Sequence, residues 1–209
     1  MPTALDIARQ APDSMKARIL AAARRLFGEY GFHGVTTRMI AKDVGIDIST
    51  LHYHWGDKQE LYEAVLTDLS DEIRGKLIEI EALVHGKPLD QRLAAAIDVM
   101  CDHLFANPEA ANLVLLSQFS KNRIASTLDA RMGRHLGNIA VAMGLAVDKA
   151  NVSARANARV LAVWNAVINF AAGEGSFRPL LKLDRDAYVA VVKETLKFIL
   201  IPAFTRDDP

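Results

Sequence analysis

The stretch TTRMIAKDVGIDISTLHYHWGDKQEL, residues 36–61, constrains the fold more than any other part of the chain. Thr36 is a suitable N-cap, and the apolar residues after it recur at helical spacing, so the pattern predicts a helix from Thr37 to Val44. Gly45 enters left-handed backbone without steric cost, which allows it to end that helix in a sharp turn. A short helix followed by a glycine turn is typical of a helix-turn-helix module.

A second short helix is predicted directly after this turn. Asp47 can accept hydrogen bonds from the free amides of a new helical turn, and Leu51 with Trp55 gives the helix a buried i, i+4 stripe. The outward face is short, polar and aromatic, which suits base edges and phosphates in a major groove. It consists of Ile48, Ser49, Thr50, His52 and Tyr53. Asp47 has an alternative role as an acceptor for a cytosine amino group, and of the two we favour the cap.

A third helix is predicted to begin with the capping box Asp57-Lys58-Gln59-Glu60. Lys58 lies in its first turn, where the helix dipole disfavours a cation, so helix stability does not explain a lysine at this position. Binding to a DNA phosphate would explain it, because free amides and an ammonium together form an anion site. The alternative is that Lys58 is only a solvated surface charge.

A pattern of residue types extends over three predicted helices between residues 14 and 66. It comprises Ile19 to Ala23, Leu26-Phe27, Gly31, Thr36-Thr37, Ile40-Ala41, Gly45-Ile46, Thr50-Leu51, His54-Trp55 and Lys58 to Leu61. This pattern resembles the N-terminal domain of tetracycline-repressor-type (TetR family) regulators. The rest of the chain is similar to that family only in its length and all-helical character.

The resemblance implies an all-α fold, in which a three-helix DNA-binding domain precedes a helical ligand-binding and dimerisation domain. We expect a flexible tail at 1–13, the helix-turn-helix domain at 14–60, and the effector-binding and dimerisation domain at 61–209. The DNA-binding residues that it implies are Thr36, Thr37, Arg38, Ile48, Ser49, Thr50, His52, Tyr53, His54 and Lys58. His52 stands where the family usually has a phosphate-binding tyrosine, so DNA affinity is expected to depend mildly on pH.

Charge supports nucleic-acid binding only locally. The formal net charge is zero at pH 7, whereas residues 14–58 contain seven cations and four anions. We interpret this excess as a modest electrostatic footprint, in which Arg24, Arg25 and Lys42 are ordinary solvated charges.

Composition predicts a globular protein of the cytoplasm. The chain has 209 residues, 51% of them hydrophobic, which is enough for a real core. Its one cysteine, Cys101, excludes an internal disulfide framework. No segment has the pattern of a signal peptide or the length of a membrane span, so no membrane partner is expected. Cys101 and His103 fall on different faces of a helix, so we expect neither a metal site nor a cofactor.

Periodicity and prolines predict that the rest of the chain is helical. Expected helices cover about 14–30, 89–106, 109–120, 124–145, 150–173 and 185–203, and a long one starts at residue 58. The resemblance implies an effector cavity among the middle helices, and the residues there suit a partly apolar small molecule. The candidates are Met100, His103, Leu104, Phe119, Met132, His135, Leu136 and Trp164.

Two late segments predict a homodimer. VLAVWNAVINFAA (160–172) and AYVAVVKETLKFILI (187–201) have wide apolar faces, so one side can serve the monomer core while another is covered by a second copy. Pairing them with their copies would form a two-fold four-helix interface. The expected interface residues are Val160, Val163, Val167, Phe170, Val192, Leu196 and Ile199. The alternative places both helices wholly inside one monomer.

These observations favour a ligand-responsive DNA-binding regulator over an enzyme. Neither Ser-His-Asp nor Cys-His spacing stands out, so no catalytic residue is predicted, and Gly173 to Ser176 reads as a loop without the lysine of a phosphate loop. We expect a repressor that binds a palindromic operator on double-stranded DNA as a homodimer and is released by a small-molecule effector. The alternative is an architectural or cell-division factor on the same scaffold without an effector, which a filled core in place of the cavity would favour.

Overall fold

The computed structural model describes residues 2–119 and 127–205, without the side chains of 119 and 127–134, and this part is helical with no strand. The helices are α1 Ala4–Gln10, α2 Met15–Gly34, α3 Thr37–Val44, α4 Ile48–Trp55, α5 Lys58–Val84, α6 Leu89–Ala106, α7 Pro108–Phe119, α8 Thr127–Ala142, α9 Ala154–Ala172, α10 Glu174–Leu181 and α11 Arg185–Thr205. They divide into two compact units, one of residues 2–72 with 112–119 and one of residues 73–111 with 127–205.

In the first unit, α2, α3, α4 and the start of α5 enclose one apolar core. The side chains of Ile19, Phe27, Ile40, Leu51 and Leu61 are fully buried there. Capping residues fix where these helices begin, because the side chains of Ser14, Thr36 and Asp47 each accept from a backbone amide three residues later. The predicted bounds of α3 are confirmed.

The turn between α3 and α4 depends on a left-handed residue. Gly45 has a φ of 78° and a ψ of 38°, and its amide donates to the carbonyls of Ala41 and Lys42 at the end of α3. The amide of Ile46 also donates to the Ala41 carbonyl, at 3.0 Å. These bonds satisfy carbonyls that the helix end would otherwise leave free.

The structure differs from the sequence prediction at the end of the first long helix and in the predicted tail. Gly31 leaves the helical conformation with a φ of 69°, but helical backbone resumes and continues to Gly34. In place of a flexible tail, Ala4–Gln10 form α1 with a Thr3 capping box, and Leu5 and Ala8 are buried. Arg9 pairs with Asp68 and Asp71 of α5, at 2.8 and 3.1 Å, so both apolar contacts and ion pairs order this segment.

In the second unit, α6 packs along α11 and also contacts α9. Lys197 donates to Asp98 at 2.7 Å, and the Tyr188 hydroxyl, on a fully buried ring, donates to the Phe170 carbonyl at 3.0 Å. Cys101 is buried, and burial raises the pKa of its thiol to about 12. This cysteine is therefore a core side chain and not a reactive one.

The segment after α9 is also helical, where the sequence suggests a loop. Glu174–Leu181 form α10, and Pro179 lies inside it. At its end, Lys182 adopts left-handed backbone with a φ of 56°, and its amide donates to the carbonyls of Arg178 and Pro179. Pro202 likewise lies inside α11 and not at its end.

Most residues predicted for the dimer interface are buried within the protomer. Val160, Val167, Val192 and Leu196 are at most 3% exposed, so these faces of α9 and α11 form the protomer's own core. Val163 lines a cavity of the second unit and Phe170 is half-buried. Only Ile199, at 57%, is exposed as expected. On helices that are apolar nearly all round, sequence periodicity does not indicate which side faces the core.

No helix in the described ranges is long and apolar enough to cross a bilayer. The same part of the chain holds no group of three or more potential metal ligands.

Two glycines offer a matched test of the turn. A Cβ at Gly45 or at Gly75 would meet nothing within 4 Å, but only Gly45 has a positive φ. We expect Gly45→Ala to lower the free energy of unfolding by about 1 to 2 kcal/mol, because of left-handed strain. Gly75→Ala, inside α5, should raise it by about 0.5 to 1 kcal/mol. Urea denaturation measures both, and equal effects would contradict a conformational role for Gly45.

Candidate nucleic-acid interface and effector cavity

The outer face of α4, formed by Ser49, His52 and Tyr53, is exposed. Tyr53 is 85% exposed, whereas Leu51 is fully buried and Trp55 is 6% exposed on the opposite side of the same helix. Ile48 and Thr50, also predicted to contact DNA, are half-buried at the start of the helix. A helix of eight residues therefore presents polar and aromatic groups on one side and is fixed by two large apolar groups on the other.

Asp47 acts as the N-cap of α4, which confirms the interpretation favoured from the sequence. Its carboxylate accepts from the Thr50 amide at 2.7 Å and from the Ser49 hydroxyl at 2.5 Å. The hydrogen bond from Ser49, followed by that from the Thr50 amide, lowers the pKa of Asp47 below its ordinary value. The cap thus keeps its charge at neutral pH and orients the Ser49 hydroxyl at the edge of the outer face.

Two hydrogen bonds join the end of α4 to the start of α2. The indole Nε1 of Trp55 donates to the Lys16 carbonyl at 3.1 Å, and the Lys16 ammonium donates to the His54 carbonyl at 2.7 Å. His54 itself is half-buried, and its Nδ1 has no hydrogen-bond partner among the described residues. Burial, with a smaller contribution from the charge of Lys16, lowers its pKa. His54 is therefore a neutral side chain at the rim of the outer face.

His52 is oriented by the turn that follows α4. Its Nδ1 lies 2.6 Å from the Gly56 carbonyl, so the proton must be on Nδ1 for this contact to be a hydrogen bond. The other nitrogen, Nε2, then carries a proton only in the imidazolium. Donation from Nε2 to a phosphate therefore requires charged histidine.

The predicted capping box at the start of α5 is present. The Glu60 amide donates to Asp57 at 2.9 Å, and the Asp57 amide donates to Glu60 at 2.9 Å. Between them, the Lys58 ammonium donates to the carbonyls of Phe32 and Val35, at 3.0 and 3.1 Å, and lies 4.2 Å from the Phe32 ring centroid. Lys58 therefore has a role within the protein, which the sequence argument for a phosphate did not include.

The other cations of this region also differ in how they are bound. The Arg18 guanidinium donates to the Val44 carbonyl at 2.9 Å, Arg24 pairs with Glu72, and Arg25 pairs with Asp43. Arg24 and Arg25 are thus not the free solvated charges that the sequence suggested. In the part of the chain that the structure describes, the cations of residues 14–58 without a hydrogen bond or ion pair are Arg38 and Lys42, both exposed.

The start of α3 contains one of these two free cations, Arg38. Thr36 is exposed, and its hydroxyl accepts from the Met39 amide at 3.2 Å, while Thr37 is half-buried. Arg38 follows in the first turn. A free cation and unpaired amides at a helix start suit a phosphate.

A cavity of about 150 Å³ lies in the second unit, among α5, α6, α8 and α9. Of the eight predicted effector residues, Met100, His135 and Trp164 line it. Leu104 is fully buried and does not line it, and His103 and Leu136 are half-buried and do not line it either. The side chains of Phe119 and Met132 lie outside the described residues.

The cavity also has lining residues that sequence reasoning missed. They come mainly from α5 and the first half of α6, and they include Ile78, Leu93, Ala96, Ile97 and Arg92. Their helical spacing is that of ordinary core residues, so no local signal distinguishes them. Arg92, a cation on an otherwise apolar helix face, is the one unusual feature that could have pointed to this site.

Lys58 and Lys42 provide a matched pair for separating stability from DNA contact. We expect Lys58→Met to lower the free energy of unfolding by about 1 to 2 kcal/mol, because two carbonyls lose a charged donor. The salt dependence of DNA binding should stay unchanged. Lys42→Met should alter stability by less than about 0.5 kcal/mol and reduce the salt slope by about one.

Urea denaturation and binding titrations over a range of salt concentrations measure both quantities. If Lys58→Met instead kept its stability and reduced the salt slope, Lys58 would be a phosphate ligand and its intramolecular role would be rejected.

The segment that contains α3 and α4 is similar to known proteins. The family described as "Bacterial regulatory proteins, tetR family" matches residues 19–65. The transcriptional regulators UidR and RutR of Escherichia coli (strain K12) are 39% identical over 51 residues and 37% identical over 62 residues. These matches cover 24% and 30% of this chain, and 26% and 29% of the relatives. The matched segment thus covers less than a third of the length of each of these relatives.

Solved structures resemble the chain over a longer range. A transcriptional regulator from Rhodococcus sp. Rha1 has a TM-score of 0.66 at 18% identity, with 91% of this chain and 97% of that chain covered. AibR, in a complex with isovaleryl coenzyme A and operator DNA, has a TM-score of 0.65 at 15% identity, with 88% and 96% covered. At these identities the likeness shows a shared fold.

UidR, RutR and the Rhodococcus protein are named as transcriptional regulators and not as enzymes, in agreement with the expectation from the sequence. The resemblance of residues 14–66 to this family is confirmed by the match to 19–65, and the all-helical expectation for the remainder is confirmed by the shared fold. Residues 19–65 thus match the tetR family of bacterial regulatory proteins, and the chain shares its fold with the Rhodococcus structure.

Proposed function

We propose that this chain is a transcriptional repressor which binds a palindromic operator as a homodimer and is released by a small-molecule effector. The observation that carries the proposal is the outer face of α4, where Ser49, His52 and Tyr53 are exposed on a helix that Leu51 and Trp55 hold from behind. This face belongs to the segment that matches the family. An exposed short helix of this kind fits a major groove.

The bases and the phosphates are contacted by different groups in this proposal. Tyr53 and the Ser49 hydroxyl contact base edges, while Arg38 and Lys42, the cations left free by the protein, contact phosphates. His52 contacts a phosphate through Nε2 when it is charged. The half-buried His54 and the intramolecularly bound Lys58 support the other residues and are not direct contacts.

Dimerisation is proposed to use the exposed side of α10 and α11. Leu180 and Phe198 are 78% and 79% exposed, and Ile199 and Leu181 are 57% and 50% exposed. Val191 continues this apolar stripe two helical turns before Phe198 on α11. Apolar side chains of this size favour burial against a second copy. Reading of a palindrome requires the two recognition helices to lie about 34 to 36 Å apart, one turn of DNA.

Release by an effector is supported by the cavity in the second unit. A filled core there would have favoured a DNA-binding factor without an effector, whereas the structure has open space lined by apolar groups. AibR, of the same fold, was solved with isovaleryl coenzyme A and operator DNA together. Because α5 runs unbroken from Lys58 to Val84, from the capping box to the cavity wall, it can transmit a change at the cavity to the DNA-binding segment.

Selection of duplexes from a random library by the full chain tests DNA recognition. We expect an inverted repeat to be enriched, because two copies of α4 read two half-sites. His52→Gln should weaken binding to that duplex, because the imidazole donor to a phosphate is lost. Enrichment of no inverted repeat would contradict the proposal.

A matched pair of substitutions tests the proposed dimer surface. Phe198→Glu should give a monomer in sedimentation and leave only half-site affinity. Val147→Glu introduces the same charge at a residue that is fully exposed and lies outside α10 and α11, so it should remain a dimer. A dimeric Phe198→Glu protein would reject this surface as the interface.

A further inference from the structure

The cavity in the second unit has two buried donors without acceptors. The Nε of Arg92 and the Nε1 of Trp164 are inaccessible to solvent and have no hydrogen-bond partner among the residues that the structure describes, and both residues line the cavity. Leaving a buried N–H group unsatisfied is costly, above all on a cation. Acceptor atoms of a ligand inside the cavity would satisfy these groups.

Arg92 lacks an anionic partner as well as a hydrogen bond. Within the described ranges no carboxylate lies within ion-pair distance of its guanidinium, and of its hydrogen-bond donors only the backbone amide is bonded, to the Pro88 carbonyl. It is the fourth residue of α6, close to the end of the helix dipole that disfavours a cation. Lys58 has a similar position in α5, but there two carbonyls compensate the charge. No such compensation is present at Arg92.

The charges around the cavity leave a positive excess. The charged lining residues are Arg74 and Glu81, both exposed at its edge, and the half-buried Arg92. His135 also lines the cavity, but it already interacts within the protein. The remaining lining side chains are apolar apart from Asn138 and Trp164. The site therefore offers unsatisfied donors and a positive charge within a lining that is otherwise mainly apolar.

The size of the cavity limits the ligand. Its volume of about 150 Å³ is comparable to that of engineered apolar cavities that take up benzene. Such a space accommodates an apolar group of about six carbon atoms. Any larger group attached to this apolar group would have to remain outside the cavity.

We propose that the effector is a small monocarboxylate, whose apolar tail fills this cavity and whose carboxylate is bound by Arg92, with Trp164 as a second donor. Guanidinium and carboxylate form charge-assisted hydrogen bonds that can be bidentate. The assignment of this ligand as effector rests on the proposed function, whereas its binding to the cavity does not.

Calorimetry of the full chain without DNA tests binding directly, with hexanoate as the probe. We expect hexanoate to bind at least about tenfold more tightly than hexanamide, which keeps the tail and an acceptor but lacks the charge. Hexylamine should not bind. Equal affinities for hexanoate and hexanamide, or no binding of hexanoate, would overturn the proposal.

Substitutions then locate the carboxylate. Arg92→Gln should weaken hexanoate binding at least about tenfold and change hexanamide binding less than about twofold. Arg74→Gln removes the same charge at the exposed edge and should change hexanoate binding less than about threefold. If Arg92→Gln failed to fold, as judged by its thermal transition, Arg92→Lys would replace it, with partial loss expected. Equal effects at Arg92 and Arg74 would reject Arg92 as the carboxylate ligand.

A separate titration distinguishes this site from the proposed function. Hexanoate added to the protein on its selected duplex should release the DNA from the parent chain and not from Arg92→Gln. Retained DNA despite calorimetric binding would overturn the effector role alone. A chain that selects no duplex would overturn the proposed function, while the calorimetric result would still decide the carboxylate site.

Discussion

The outer face of α4 depends on the two hydrogen bonds that join its end to the start of α2. A helix of eight residues is too short to be stable alone in water, so its position must come from its neighbours. The buried indole of Trp55 donates to the Lys16 carbonyl, and the Lys16 ammonium returns a hydrogen bond to the His54 carbonyl. Each helix thus satisfies a backbone carbonyl of the other. The exposed side chains of α4 are then presented in one orientation by a helix that its neighbours hold in place.

The other end of α2 is attached to α5 in a comparable way. The Lys58 ammonium binds two carbonyls just beyond the Gly31 kink, and the rings of Phe27, Phe32 and Tyr62 pack beside it, with centroids 4.9 to 6.3 Å apart. Ion pairs from Arg9 and Arg24 reach acidic side chains further along α5. Most of the positive charge in this unit therefore holds the helices together. The charge left for a phosphate backbone is small, which agrees with the neutral overall composition.

Sequence reasoning succeeded where a local signal fixes the structure. The capping residues Thr36 and Asp47, and the left-handed Gly45, set the bounds of α3 and α4 by contacts within a few residues. It failed where the decisive partner is distant in the chain. The dipole argument at Lys58 could not include carbonyls more than twenty residues away, and α1 is ordered by contacts with residues near 70. Periodicity also could not separate the inward from the outward side of α11, or a cavity wall from a filled core.

We propose that the anchored outer face of α4 recognises operator sequence. Tyr53→Ala tests this through the ratio of its affinities for the selected duplex and for a random duplex. Tyr53 is 85% exposed, so its removal should leave the thermal midpoint unchanged. We predict that the affinity ratio falls by about tenfold or more. A variant that folds normally and keeps the full ratio would contradict the claim.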